Sequence, residues 1–147
     1  MDIKFFTGEF RWLSNFHECH IIVDGIEFTS VEHAYQAFKT KDSAWFERVR
    51  LAKNPGFAKR MGRQCPMRED WDQIKEDVMK KCVYAKFSQN ETLKQQLLNT
   101  GDCIIEEGNT WGDRFWGVVS GIGENRLGHI LMQVRKELNK NILVTKT

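Results

Sequence analysis

The sequence predicts a helix-rich α+β domain, and three observations carry that expectation. Apolar residues recur at i, i+3, i+4 and i+7 along much of the chain, the spacing of one buried helix face. Two short apolar, β-branched runs flank Asp24-Gly25, a tight-turn signal that makes residues 20–28 a hairpin. No repeat, linker or low-complexity segment interrupts the pattern, and 147 residues suit a single domain, 1–147, with one sizeable core.

The elements follow in order. Phe5-Phe6 and Ile21-Ile22-Val23 read as short strands, the second opening the hairpin that Ile26-Glu27-Phe28 closes. Thr29-Ser30-Val31-Glu32-His33-Ala34-Tyr35-Gln36-Ala37-Phe38-Lys39 reads as the first helix, with Val31, Ala34, Tyr35 and Phe38 on its buried stripe. Residues 43–53 are a second helix, with Phe46, Val49 and Ala52 on one side. Asn54-Pro55 supplies an N-cap and first-turn proline for a short helix ending near Gly62. Residues 68–87 form a longer helix, with Trp71, Ile74, Val78, Cys82 and Ala85 near one face. Residues 92–99 form another, stopped by Gly101. Cys103-Ile104-Ile105-Glu106 reads as a strand, residues 115–119 as a weaker one, and residues 125–139 as the last helix.

Composition excludes several classes. A net charge of +2 with scattered Lys and Arg gives no polybasic tail for non-specific nucleic-acid binding, and no acidic run argues for disorder. No apolar run approaches the roughly 18 residues of a membrane span, and the start of the chain has no signal-peptide pattern. Cys19, Cys65, Cys82 and Cys103 lack CxxC spacing and read as reduced, mostly buried thiols, so the expected compartment is the cytoplasm. His17-Glu18-Cys19-His20 has no second cluster, and a strand would send alternate side chains to opposite faces, so no metal site is expected. Five Trp and ten Phe exceed what a minimal core needs, so some rings are candidates for lining a pocket.

Four constellations bear on chemistry, each with a structural alternative. Glu32, Gln36 and Lys39 form a second, polar stripe on the first helix. It can be one wall of an active site, yet Thr29-x-x-Glu32 also fits a capping box, and Lys39 fits a solvated lysine. Asn109-Thr110-Trp111-Gly112-Asp113-Arg114-Phe115-Trp116-Gly117 offers flat indoles for a base ring and glycines for close approach, or a turn with core tryptophans. Gly121-Ile122-Gly123-Glu124-Asn125 leads into the last helix, suiting phosphate binding or simple capping. Lys59-Arg60-Met61-Gly62-Arg63 gathers three cations that suit either a phosphate, through Arg60 and Arg63, or a solvated helix end.

Taken together and in order, these segments resemble the NADAR family of YbiA-type N-glycosidases along nearly the whole chain. The matching segments are Trp12-Leu13-Ser14-Asn15-Phe16, the Asp24-Gly25 hairpin and the run from Val31 to Lys39. They continue with Asn54-Pro55 through Gly62-Arg63, Asp70-Trp71-Asp72, Lys86-Phe87-Ser88-Gln89-Asn90 and Leu98-Asn99-Thr100-Gly101. The last are the stretch from Trp111 to Gly117, Gly123-Glu124-Asn125-Arg126-Leu127-Gly128 and Leu131-Met132-Gln133-Val134-Arg135.

The resemblance implies a YbiA-like fold and hydrolysis of an N-glycosidic bond between a ribose carbon and a nitrogenous ring or amine. It implies either phosphoribosylamino-pyrimidine intermediates of riboflavin synthesis or ADP-ribosylated guanine in nucleic acid as substrate. It carries the family's catalytic glutamate onto Glu32, its lysine onto Lys39, a tryptophan onto Trp71 and an acidic residue onto Asp113. Substrate contacts are expected at Asn15, Tyr35, Gln36, Arg60 and Arg63, and at Trp111, Trp116, Gly117, Gly123 and Asn125. Trp71 and Trp116 are the expected walls for the base. No cofactor, membrane or obligate protein partner is implied. The rival expectation is a non-catalytic ADP-ribose or nucleotide-binding module, against which the set Glu32, Lys39 and Asp113 speaks. On this reading the polar stripe looks into a cleft.

Overall fold

The structure, a computed structural model, describes residues 2–146, with side-chain surroundings up to residue 141. Its contacts fall into two units: one from residues up to Ser14 together with those from Glu91 onward, the other from Asn15 to Asn90.

The first unit joins the two ends of the chain. Strand β1 (Ile3–Phe5) pairs in parallel with the strand of residues Ile105–Gly108, Ile3 lying opposite Ile105. Gly108 makes this approach possible, because a Cβ there would collide with the Lys4 carbonyl and the Phe5 ring. A 3₁₀ turn (Gly8–Leu13) follows β1.

The second unit begins with the hairpin β2 (Ile21–Val23) and β3 (Ile26–Phe28), antiparallel with Ile21 opposite Phe28. Asp24 and Gly25 both have positive φ, at 53° and 79°, as the favoured two-residue hairpin turn requires. Four helices complete it: α1 (Val31–Ala37), α2 (Ser43–Arg50), α3 (Pro55–Gln64) and α4 (Trp71–Gln89). Gln89 holds the free edge of β2 through its side chain, accepting from the Ile22 N–H and donating to the Ile22 carbonyl, both at 2.8 Å.

The caps explain where the helices start. Asp42 Oδ1 accepts from the Trp45 N–H and Asn54 Oδ1 from the Phe57 N–H, with Pro55 in the first turn of α3. Helix α1 packs against α2, α3, α4 and β3, so it is buried all round rather than along one stripe. Phe28, Phe38 and Phe46 form an aromatic cluster beside it, with centroids 5.5–6.0 Å apart.

The first unit is completed by α5 (Glu91–Asn99), β4 (Ile105–Gly108) and α6 (Arg126–Lys146). Gly101, at φ 61°, follows the end of α5. Leu127, Ile130, Leu131, Val134 and Leu138 give α6 its buried stripe, and it packs over β4 and α5.

Four sequence expectations are corrected. Helix α1 begins at a Ser30 cap whose Oγ accepts from the His33 N–H, so the capping register is Ser30–His33 rather than Thr29–Glu32. The helix ends at Ala37, which places Lys39 in the turn beyond it, its N–H donating to the Gln36 carbonyl. Helix α3 runs past Gly62 to Gln64, since neither Gly62 nor Arg63 interrupts its backbone bonding. Residues 115–119 make only isolated bridges, Gly108 with Val118 and Val119 with Ile122, the chain turning directly afterwards through Ser120 and Gly121, both at positive φ. All four cysteines are free thiols; Cys65 and Cys82 are buried, while Cys19 and Cys103 are partly exposed.

Candidate active site

The polar stripe of α1 is turned into the second unit. Glu32 is 6% exposed and Gln36 4%, an unusual depth for a carboxylate and an amide on a seven-residue helix. Two contacts hold Glu32. Its N–H donates to the Asn15 carbonyl at 3.1 Å, and its Oε1 accepts from Gln36 Nε2 at 2.7 Å. Asn15 is itself held by its side chain, which donates to Met79 Sδ on α4. His33, one residue on, bridges Ser30 and the Ala52 carbonyl, locking α1 to the segment just after α2.

Charges converge on this carboxylate from two elements. Burial pushes the Glu32 carboxyl above its ordinary range, opposed by the Gln36 hydrogen bond and then by Lys59, Lys39 and Arg63. Lys39 moves the other way: burial lowers its ammonium, opposed by the charge of Glu32, while Arg63 and Lys59 lower it further. Desolvation wins for both groups, so an acid and a base are drawn toward each other in one place. Burial also pushes the Cys65 thiol up, against the charge of Lys39.

Aromatic groups wall the same region. The Lys39 ammonium lies 5.6 Å over the Tyr35 ring, and Tyr35 meets Trp71 at 5.1 Å in a tilted pair. Trp71, the first residue of α4, is only 3% exposed, so it backs Tyr35 rather than offering an open face. Lys59 sits 5.8 Å over the Phe16 ring. Arg60 instead stacks 5.1 Å over Phe57 and is exposed.

The second unit thus gathers Asn15, Glu32, Tyr35, Gln36, Lys39, Arg63 and Trp71. Sequence reasoning counted Lys59 among the cations of this segment but placed the phosphate on Arg60 and Arg63, and it did not single out Gly62 or Cys65 as site residues. Lys59 was detectable as the i, i+4 neighbour of Arg63 on α3. Gly62 carried no signal of its own. A Cβ at that position would overlap Gln36 Oε1 and lie 2.7 Å from Gln36 Cδ, so a larger residue there would have to displace the Gln36 amide.

Apart from Arg60 on α3, the other expected residues lie in the first unit, around the loop after β4. Asp113 Oδ1 accepts from the backbone N–H groups of Phe115 and Trp116 at 3.0 and 2.9 Å, forming a side-chain turn. Asn109 brackets it, accepting from the Asp113 N–H and donating to the Asp113 carbonyl. Phe115 and Trp116 meet edge to face at 4.8 Å, whereas Trp111 is 64% exposed. Gly117 and Gly123 are sites of close backbone approach, to the Glu107 carbonyl and the Gly117 carbonyl respectively. Asn125 is buried, its Oδ1 accepting from the Glu107 N–H and its Nδ2 donating to the Ile105 carbonyl, which pins the loop to β4. No group of three or more His, Cys, Asp or Glu side chains suited to a metal ion occurs among the described residues, and none of their helices is long and apolar enough to cross a membrane.

Comparison with known proteins identifies the family. The sequence matches the NADAR domain family over residues 4–139. It is 41% identical over 135 residues to N-glycosidase YbiA of Escherichia coli (strain K12), covering 90% of this chain and 84% of that protein. A riboflavin biosynthesis protein of Vibrio vulnificus is 42% identical over 133 residues, which cover 88% of this chain but 36% of that longer protein. The NMR structure of the E. coli protein YbiA matches with a TM-score of 0.86 at 36% identity, covering 97% of this chain and 86% of that one.

Proposed function

The chain belongs to the NADAR family and is a hydrolase of N-glycosyl bonds, and we propose that the bond it cleaves joins C1 of a phosphorylated ribose to a pyrimidine-type amine. The observation that carries this is the buried carboxylate of Glu32 set among Lys39, Lys59 and Arg63. One negative group among three cations suits a substrate that brings phosphate of its own. The name of the V. vulnificus relative supports a phosphoribosylamino-pyrimidine of riboflavin synthesis as the substrate class. The family match runs through both structural units, and we take residues 1–147 to work as one domain in this role.

Breaking a C1–N bond develops positive charge on the ribose and requires a proton on the departing nitrogen. Glu32 is the group to stabilise that cation. Its low-dielectric setting strengthens the interaction, and Asn15 and Gln36 fix its position beforehand. Lys39 supplies the second function. With its ammonium lowered by burial, a neutral amine is accessible, and its lone pair can add to C1 once the sugar ring has opened. The base nitrogen takes up a proton and leaves as a free amine. Water then hydrolyses the Lys39–C1 imine, returning the sugar as an aldehyde and the lysine as amine. Lys59 and Arg63, one turn apart on α3, are the proposed phosphate contacts, and Tyr35 with Trp71 behind it is the wall beside Lys39.

The test is incubation with a phosphoribosylamino-pyrimidine and, separately, with ADP-ribosylated guanine in an oligonucleotide, followed by mass analysis. Release of free amine and phosphoribose from the first is expected. Release of guanine-bearing DNA from the second alone would move the substrate to nucleic acid. Saturable binding of both without release would reduce the protein to a reader.

A further inference from the structure

Gln36 stands where a substrate contact was expected, yet its amide is spent inside the protein. Nε2 donates to Glu32 Oε1 at 2.7 Å, while Oε1 is buried with no hydrogen-bond partner among the described residues. That oxygen is pressed against Gly62 of α3, at the spot a Cβ would occupy. Only a glycine hydrogen fits there, leaving at most a weak C–H···O contact. No ligand can reach an oxygen seated in that way.

A buried acceptor without a partner costs stability, so the arrangement calls for a compensating role. Turning the amide half a revolution would set its oxygen against a carboxylate oxygen and leave both N–H groups facing the Gly62 methylene. That alternative suits only a protonated Glu32, whose O–H would then donate to Gln36. We propose that Gln36, seated against Gly62, is a positioning residue that presents an N–H to Glu32 and so fixes the orientation and charge of its carboxylate. The proposal rests on the reading of Glu32 as the group that stabilises the sugar cation.

The other groups acting on Glu32 do not replace this one. Lys39 follows the end of α1, Lys59 and Arg63 come from α3, and the Cys82 thiol of α4 feels the Glu32 charge. Helix α2 and strand β3 also pack on α1, and their charged residues Glu47, Arg48, Arg50 and Glu27 are not among the main influences on Glu32. The three cations act on Glu32 through their charge, whereas Gln36 donates a hydrogen bond to it. It is also the first of the influences that oppose burial there.

The test is the titration of the Glu32 side-chain carboxyl by carbon NMR in protein labelled at glutamate, the signal assigned by its loss in Glu32→Gln. Gln36→Met keeps the length and lacks the donor; Gln36→Leu is the second variant should a thioether repack poorly. The midpoint of Glu32 is expected to rise by about one pH unit in either variant, the effect of one charge-assisted hydrogen bond. The acid limb of the kcat/KM profile should rise with it, kcat falling while KM holds. Gly62→Ala should shift the midpoint the same way and add nothing to Gln36→Met. An unchanged Glu32 midpoint in both Gln36 variants overturns the proposal, even if their melting temperature falls. The titration does not require turnover. Survival of activity in Glu32→Gln would therefore count against the catalytic reading alone, with the Gln36 result still standing.

Discussion

Glu32 and Asp113 are both carboxylates expected at the site, and the structure treats them in opposite ways. Glu32 is buried on a helix, accepts from the Gln36 side chain, and is left with charge that burial disfavours. Asp113 lies half-buried in a loop and accepts two successive backbone N–H groups with one oxygen. The first arrangement costs stability and stores electrostatic potential; the second organises a turn. A polar side chain held in an unfavourable state is evidence of chemistry, and one whose hydrogen bonds close a turn has a structural explanation already.

Glu32→Gln sharpens this contrast most. Removing the charge with little change of shape should lower kcat by orders of magnitude. Stability should move the other way at neutral pH. The folded-state carboxyl titrates above the ordinary 4.5 of a glutamate, so the native protein holds its proton longer than the unfolded chain as pH rises. Wild-type stability therefore falls as pH climbs through that window, and the glutamine variant should lack the fall. Thermal melts across acid to neutral pH, beside steady-state kinetics, measure both.

Lys39→Arg ranks next. Arginine keeps the charge but does not deprotonate to attack C1, so borohydride added during turnover should trap a sugar adduct on the wild type and none on the variant. Activity that survives in Lys39→Arg would leave direct hydrolysis assisted by Glu32 as the mechanism.

Asp113 offers the way to break the comparison. Asparagine retains an oxygen acceptor for Phe115 and Trp116, so Asp113→Asn should melt like wild type, whereas Asp113→Ala should lose roughly 1–2 kcal/mol. Turnover abolished in a stably folded Asp113→Asn would show that its charge matters, and the two carboxylates would no longer differ in kind.

The smallest effect separates Arg63 from Arg60. Arg63 acts on both Glu32 and Lys39, while Arg60 lies over Phe57. Arg63→Ala should raise KM several-fold for a phosphorylated substrate and Arg60→Ala should leave it near wild type, by about 1 kcal/mol of charge-assisted contact. Equal effects of the two would return both guanidiniums to the phosphate subsite.

Local chemistry made much of the fold readable from the sequence. The Asp24-Gly25 turn, the Asn54-Pro55 cap and the apolar stripe of α6 act over a few residues, where neighbours in sequence are neighbours in space. The ordered motifs also brought Glu32, Lys39 and Trp71 into view. Tertiary packing decided the rest. Periodicity names the apolar face of α1, but burial of its polar face required α3 and α4 to close around it. The choice of Ser30 over Thr29 as cap followed from Asn15 accepting the Glu32 N–H, a contact across 17 positions that no local pattern encodes. The loop from Asn109 to Asn125 likewise reads as a nucleotide platform by composition, and only the structure shows Asn109, Asp113 and Asn125 bonded to its own backbone and to β4. Gly62 states the limit most simply. Alone it is one more glycine in a helix, and only the Gln36 amide pressed against it gives that missing side chain a purpose.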